Sequence, residues 1–182
     1  MAIFAIVGLP GVGKTTVSEI FEKKGFLRID TDKIVHKLYE TNGLGTQKIE
    51  AFFGSDYLKK DGSVNRNKLR KAVFNNSQKL RILEIFIHPF VLHEVKLLIS
   101  KAKEENIIIE ISVYRKEAKI NDLIDKWILL KRDNSVKEKY DLSNFHTDLD
   151  NLKPDFCIEN NGSLGDLEFK IQNSKFPFKP SF

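Results

Sequence analysis

Gly8-Leu9-Pro10-Gly11-Val12-Gly13-Lys14-Thr15 matches the pattern GxxxxGK(S/T), and its reading decides the fold. The residues before it, Ala2-Ile3-Phe4-Ala5-Ile6-Val7, are an unbroken run of β-formers of the kind a parallel sheet buries on both faces. Behind it, Thr15 to Lys24 reads as a helix with Val17, Ile20 and Phe21 on one face and Gly25 as its stop. Strand, glycine loop and helix in that order are the context in which the pattern cradles phosphate. Gly8, Gly11 and Gly13 let the chain turn tightly, so that backbone N–H groups around Val12 and on through Thr16 aim at a phosphate beside the helix dipole. Lys14 would reach the β- and γ-phosphates of a nucleotide, and the Thr15 hydroxyl would face Mg²⁺.

Working outward, Phe26-Leu27-Arg28-Ile29 reads as a second strand that delivers Asp30-Thr31-Asp32 to a helix carrying Ile34, Val35, Leu38 and Tyr39 on one face. Ligands of open α/β sheets lie at the carboxyl ends of the strands, so this acidic pair belongs near the phosphate loop, one Asp capping the helix and the other free for chemistry. Residues 41–106 read as mainly helical, with helices over 47–53, 67–74 and 78–86. His88-Pro89 predicts a break there, Pro89 opening the next helix.

Ile107 to Val113 is the strongest strand signal, and Glu110 interrupts its apolar run. That carboxylate marks either an exposed strand end or a group aimed at Mg²⁺ and its waters. Trp127-Ile128-Leu129-Leu130 and Phe156-Cys157-Ile158-Glu159 read as the fourth and fifth strands, with Asn160-Asn161-Gly162 turning into a final helix from Ser163 or Leu164 through Ile171. Cys157, the one cysteine, lies in an apolar setting that predicts an inert core thiol. The tail from Phe176 is broken by prolines, and packing against the body is its expected role.

Strands alternating with helices imply a doubly wound α/β fold with a parallel sheet. The chain of 182 residues fits one domain. Its core is expected over 1–40, 107–130 and 154–173, with a helical insert over 41–106, a lid over 131–153 and a tail over 174–182. A lone cysteine excludes an internal disulfide and a cysteine-built zinc site. The net charge of +5 is scattered rather than blocked, which suits a nucleotide substrate and does not call for nucleic acid. No apolar run approaches the roughly 18 residues of a membrane span, so a cytoplasmic protein with no membrane partner is expected, as a monomer or weak oligomer.

Beyond the phosphate loop, several segments resemble the dephospho-CoA kinase family of P-loop kinases, relatives of the nucleoside monophosphate kinases. They are Ile29-Asp30-Thr31-Asp32, Phe53-Gly54, Asp61-Gly62-Ser63-Val64-Asn65-Arg66-Asn67-Lys68-Leu69, Val73-Phe74, His88-Pro89 and Pro154-Asp155 through Gly162-Ser163. The resemblance runs from Ile3 to about Ile171. It implies a three-layer P-loop kinase fold with a five-stranded parallel sheet, a helical acceptor-binding insert and a short lid. It also implies transfer of the γ-phosphoryl of ATP, with Mg²⁺, to the ribose 3′-hydroxyl of dephospho-CoA. Under that resemblance Asp32 stands near the acceptor hydroxyl, Arg66 and His88 line the acceptor side, and Asn160, Asn161 and Gly162 lie beside the adenine. Arg132, Lys137 and Lys139 would supply the lid.

Two stretches depart from the family pattern. Glu110-Ile111-Ser112-Val113-Tyr114-Arg115-Lys116 stands where the family shows Asp-x-Pro-Leu-Leu-Phe-Glu. The segment from Arg132 to Lys153 holds no second arginine and no glutamine, where the family lid shows Gln-x-x-Arg-x-x-x-Arg. A kinase of the same fold with another small hydroxyl acceptor, such as a nucleoside monophosphate, and an ATP-binding module with weak catalysis stay open at this point.

Overall fold

The computed structural model describes residues 1–74, 76–103, 105–133 and 147–178. Lys137 and Lys139, expected in a lid, lie outside them. The chain forms two compact units, one of Met1–Asp30 with Leu98–Phe182 and one of Thr31–Leu97.

The first unit is built on strands β1 (Ile3–Val7), β2 (Leu27–Asp30), β3 (Ile107–Glu110), β4 (Lys126–Lys131) and β5 (Phe156–Glu159), in the spatial order β2-β3-β1-β4-β5. Every neighbouring pair is parallel. The β-branched runs explain this: Ile107, Ile108 and Ile109 are fully buried, as are Ala5, Ile6 and Val7 beside them in the middle of the sheet. Helix α1 (Lys14–Lys23) follows the glycine loop and buries Val17, Ile20 and Phe21 against Phe4, Ile6, Ile108 and Ile128. The final helix of this unit, Leu164–Gln172, starts from Ser163, whose Oγ accepts from the Asp166 N–H at 3.2 Å while the Asp166 carboxylate accepts from the Ser163 N–H at 2.8 Å. Its Leu167 and Ile171 join the same core.

The tail does pack. Phe176 is 8% exposed and its ring lies 4.4 Å from that of Phe156 and 4.9 Å from that of Phe21, while Phe178 sits 5.8 Å from Phe26. Aromatic pairs at such spacings add to the area they bury. Phe176→Ala should therefore cost about 3 kcal/mol in urea or thermal unfolding, the ordinary result of truncating a buried ring. A loss below about 1 kcal/mol would show that the tail is only laid on the surface.

The second unit is helical: α2 (Thr31–Leu38), α3 (Leu44–Phe53), α4 (Arg66–Phe74) and most of α5 (Ser77–Lys101), the last entering the first unit at Leu98. Counted in chain order, the Leu164–Gln172 helix is α6 among the described residues. Leu38, Ile49, Leu69, Val73, Ile87, Val91 and Val95 are the buried apolar side chains of these helices among the described residues. Burial pushes the Tyr39 hydroxyl up to about 12 against the opposing pull of Arg66.

Two expectations are corrected and one of two alternatives is removed. Helix α5 does not break at His88-Pro89 but runs through Pro89 as one element of 25 residues. Ile87, Val91 and Val95 keep a four-residue spacing across the proline, so a single helix buries all three. Pro89 and Ile85, the residue whose carbonyl loses its donor, are both exposed residues. Cys157 is exposed, not a core thiol, because β5 is an edge strand whose alternation turns it away from the side on which Ile158 is buried. Glu110, at the end of β3, is 6% exposed, which removes its reading as a solvent-facing strand end. Among the described residues no helix is long and apolar enough to cross a membrane.

Candidate active site

The phosphate loop connects the central strand β1 to α1, at the carboxyl edge where open parallel sheets bind ligands. Two of its glycines are required by contact. A Cβ on Gly8 would run into the carbonyl oxygen of Leu130 on β4. Gly13 has φ +100 and no room for a side chain, since a Cβ there would lie 2.6 Å from Asn160 Nδ2. Gly13 is also the N-cap residue of α1 and supplies no side-chain cap. The N–H groups of Thr15 and Thr16 in the first turn of α1 therefore receive no side-chain cap from Gly13, the arrangement of a helix N-terminus that binds an anion.

Asn160, predicted beside the adenine, is 9% exposed and donates Nδ2–H to the Val12 carbonyl at 2.8 Å. Its backbone N–H donates to the Lys131 carbonyl at 2.8 Å. The neighbouring Asn161 accepts from the Asp133 N–H at 2.9 Å, so the Asn160 to Gly162 turn braces the loop and the end of β4 together. Asn161 and Gly162 are exposed, as is Arg132 just past β4.

Lys14, 9% exposed, donates from Nζ to the carbonyls of Gly8 at 2.9 Å and Leu9 at 3.1 Å, which curls its ammonium over the loop. Thr15 Oγ1 donates to Glu110 Oε1 at 2.6 Å. Ser18 Oγ, fully buried one turn further along α1, lies 2.8 Å from Glu110 Oε2 and also 3.0 and 3.1 Å from the carbonyls of Thr15 and Lys14. A hydroxyl has one proton to give, and the carboxylate is the stronger acceptor. Arg28 Nη2 completes the set, 3.0 Å from Glu110 Oε2 and 3.6 Å from Asp30 Oδ2.

Strand register explains the convergence. Asp30 and Glu110 are parallel partners at the ends of β2 and β3, and Arg28 lies two residues before Asp30 on the same face. The Arg28 side chain is 7% exposed; burial pulls its pKa down, yet the bond to Glu110 and the nearby carboxylates leave it raised overall. Its Nε is buried with no hydrogen-bond partner among the described residues.

The donor set suits a hard divalent cation. Thr15 Oγ1 and the Glu110 carboxylate are oxygen ligands of the kind Mg²⁺ takes, one or two from the protein and the rest from phosphate and water. Among the described residues no group of three or more His, Cys, Asp and Glu side chains converges on one point.

In the helical unit, Asp32 and His36 lie one turn apart on α2, both exposed. Arg66, exposed at the start of α4, brings Nη1 to 3.4 Å from His36 Nδ1, a long contact in which only a neutral imidazole can accept. His88 is exposed on α5 beside Pro89. Reading the sequence singled out neither Arg28, Ser18 nor His36. Arg28 carried a usable signal: it interrupts the apolar run of β2 as Glu110 interrupts that of β3, and opposite charges in two adjacent buried strands invite pairing.

A sequence model of the dephospho-CoA kinase family matches residues 2–138. The chain belongs to that family. Dephospho-CoA kinase of Fusobacterium nucleatum is 32% identical over 185 residues, covering 92% of this chain and 95% of that protein. The enzyme of Hydrogenovibrio crunogenus is 35% identical over 133 residues, covering 71% of this chain and 66% of that one. Among solved structures, dephospho-CoA kinase from Campylobacter jejuni superposes with a TM-score of 0.66 at 26% identity, covering 92% of each chain. A dephospho-CoA kinase family member is a phosphotransferase, and kinases act on ATP with a divalent metal ion.

Proposed function

We propose that the chain transfers the γ-phosphoryl group of ATP to the ribose 3′-hydroxyl of dephospho-CoA, forming coenzyme A. The observation that carries this reading is the Thr15–Glu110 contact of 2.6 Å beside an α1 N-terminus that has no side-chain cap, in a chain of the dephospho-CoA kinase family.

Each residue has a physical task. The N–H groups from Gly11 to Thr16 bind phosphate oxygens, and Lys14 exchanges the Gly8 and Leu9 carbonyls for those of the β- and γ-phosphates. Mg²⁺, held by Thr15 with Glu110 directly or through water, would supply charge neutralisation on the triphosphate. Asn160 keeps the loop in its anion-binding shape through Val12, and the backbone of Asn161 and Gly162 faces the adenine. Asp32, the second residue of α2, orients the acceptor hydroxyl and takes its proton. Arg66 and His88 bind the acceptor's anionic groups, and Arg132 covers the nucleotide. Positioning and charge compensation together are what a loose phosphoryl-transfer transition state asks of a protein.

An acceptor panel tests this. Purified protein with Mg-ATP is given dephospho-CoA, adenosine, AMP, other nucleoside monophosphates and small hydroxyl compounds, with ADP release as the readout. Dephospho-CoA should show the highest kcat/KM, on the order of a hundredfold or more above AMP, since the remote part of a substrate contributes binding energy to the transition state. Preference for a nucleoside monophosphate would replace this acceptor with that one. ATP binding with no stimulation by any acceptor would reduce the chain to a nucleotide-binding module.

A further inference from the structure

The charge excess that is scattered along the sequence is gathered by the fold. The helical unit, Thr31–Leu97, holds 12 Lys and Arg against 7 Asp and Glu, an excess of five, which is the whole excess of 30 over 25 in the chain and leaves the sheet unit at 18 against 18. Most of it lies between Ser55 and Phe74, where Lys59, Lys60, Arg66, Lys68, Arg70 and Lys71 stand against two carboxylates, Asp56 and Asp61, all of them exposed. Helix α4 is the centre of this stretch: its four cations are exposed, it carries no carboxylate, and Leu69 and Val73 turn its other face inward. Lys68 Nζ lies 5.4 Å from the centre of the Tyr57 ring and Arg66 Nη1 lies 3.4 Å from His36 Nδ1, contacts that cancel neither charge. The backbone fixes where this face stands. The Val64 N–H donates to the Tyr39 carbonyl at 3.0 Å, which sets the start of α4 against the end of α2, and Arg66 meets His36 one turn beyond Asp32.

We propose that the exposed face of α4 is an electrostatic collecting surface that draws the anionic acceptor toward Arg66 and Asp32, with Lys68, Arg70 and Lys71 acting through the field they make together rather than through contacts in the bound state. This rests on the acceptor reading above, in which the acceptor carries phosphate groups. Like charges on one face, with few of the opposite sign among them, raise the local concentration of an anion and its association rate by about 10- to 10³-fold at low salt. Their reach is set by the ionic strength. At about 0.01 M the Debye length of ~30 Å exceeds the length of α4, whereas at about 0.5 M it falls below ~5 Å and the field is felt only in contact.

The test needs no turnover. Dephospho-CoA labelled at its thiol with an uncharged dye is mixed with the protein in a stopped-flow instrument, and association and dissociation are followed by fluorescence anisotropy. Lys68→Gln, Arg70→Gln and Lys71→Gln combined in one chain should lower the association rate constant about tenfold at about 0.01 M ionic strength and less than about twofold at about 0.5 M, with the dissociation rate within about twofold of wild type. An equal loss of charge on the balanced unit, Lys23→Gln, Lys103→Gln and Lys175→Gln at three exposed positions, should leave association within about twofold of wild type at both. Should thermal unfolding show that the α4 triple variant does not fold, each single substitution should lower association about twofold at low salt, the three effects multiplying. A triple variant with the salt dependence of wild type would overturn the inference, as would a control that loses as much. A loss confined to dissociation would overturn it too, since these residues would then be contacts, and so would a wild-type chain that does not bind the probe. Binding with the expected salt dependence and no coenzyme A formed would count against the kinase reading alone.

Discussion

Lys14→Ala should lower kcat for phosphoryl transfer by about 10²- to 10³-fold, the scale of losing one preorganised donor to developing charge. The ammonium is nearly buried and is held against the Gly8 and Leu9 carbonyls, so it occupies a fixed place at the loop before any ligand arrives. Arg28, also buried, is engaged by Glu110 and Asp30 and does not substitute for it. Because phosphate charge is met by the N–H groups as well, KM for ATP should rise less than kcat falls. Lys14→Arg should not restore activity, since a planar fork does not fit the space of a single ammonium closed by two carbonyls. Steady-state ADP release measures both effects, and a loss of less than about tenfold in Lys14→Ala would remove Lys14 from the chemistry.

Asp32→Asn should lower kcat by about 10²- to 10⁴-fold, the range over which a positioned base acts, and leave KM for ATP unchanged. Asparagine keeps the size and one acceptor of the side chain but not its charge, so the substitution separates proton handling from shape. Asp32 is exposed in the first turn of α2, where a lost negative charge forfeits only a few tenths of a kcal/mol of helix-dipole interaction. Thermal unfolding should therefore be nearly unchanged. A kcat within about threefold of wild type would show that the acceptor hydroxyl is activated without this carboxylate.

The parts of the molecule that local pattern controls were legible in the sequence. The β1 run, the glycine loop and the face of α1 formed by Val17, Ile20 and Phe21 are each fixed by residues within one turn or strand of each other, and the structure has them so. The turn at Asn160 to Gly162 and the helix start beside it were read as well, and the structure adds the Ser163–Asp166 capping box that closes that helix end. What was not legible depends on residues far apart in sequence. Arg28 meets Glu110 across 82 positions and Asn160 meets Val12 across 148, and neither contact has a local signature beyond a charge or an amide in an apolar stretch.

The remaining differences have the same origin. Pro89 reads as a breaker because proline usually is one, but buried Ile87, Val91 and Val95 on either side of it outweigh the lost hydrogen bond. Cys157 reads as core because its neighbours are apolar, yet only the sheet order reveals that β5 is an edge. The tail's Phe176 and Phe178 carry no periodicity, and their place is decided by the ring cluster of Phe4, Phe21, Phe26 and Phe156.

The most direct measurement is the identity of the product. Purified protein incubated with Mg-ATP and dephospho-CoA should yield coenzyme A phosphorylated at the ribose 3′-hydroxyl, identified by phosphorus NMR and mass spectrometry, together with one ADP for each coenzyme A. No coenzyme A from folded, ATP-binding protein, or phosphate placed on any other group of the acceptor, would contradict the account.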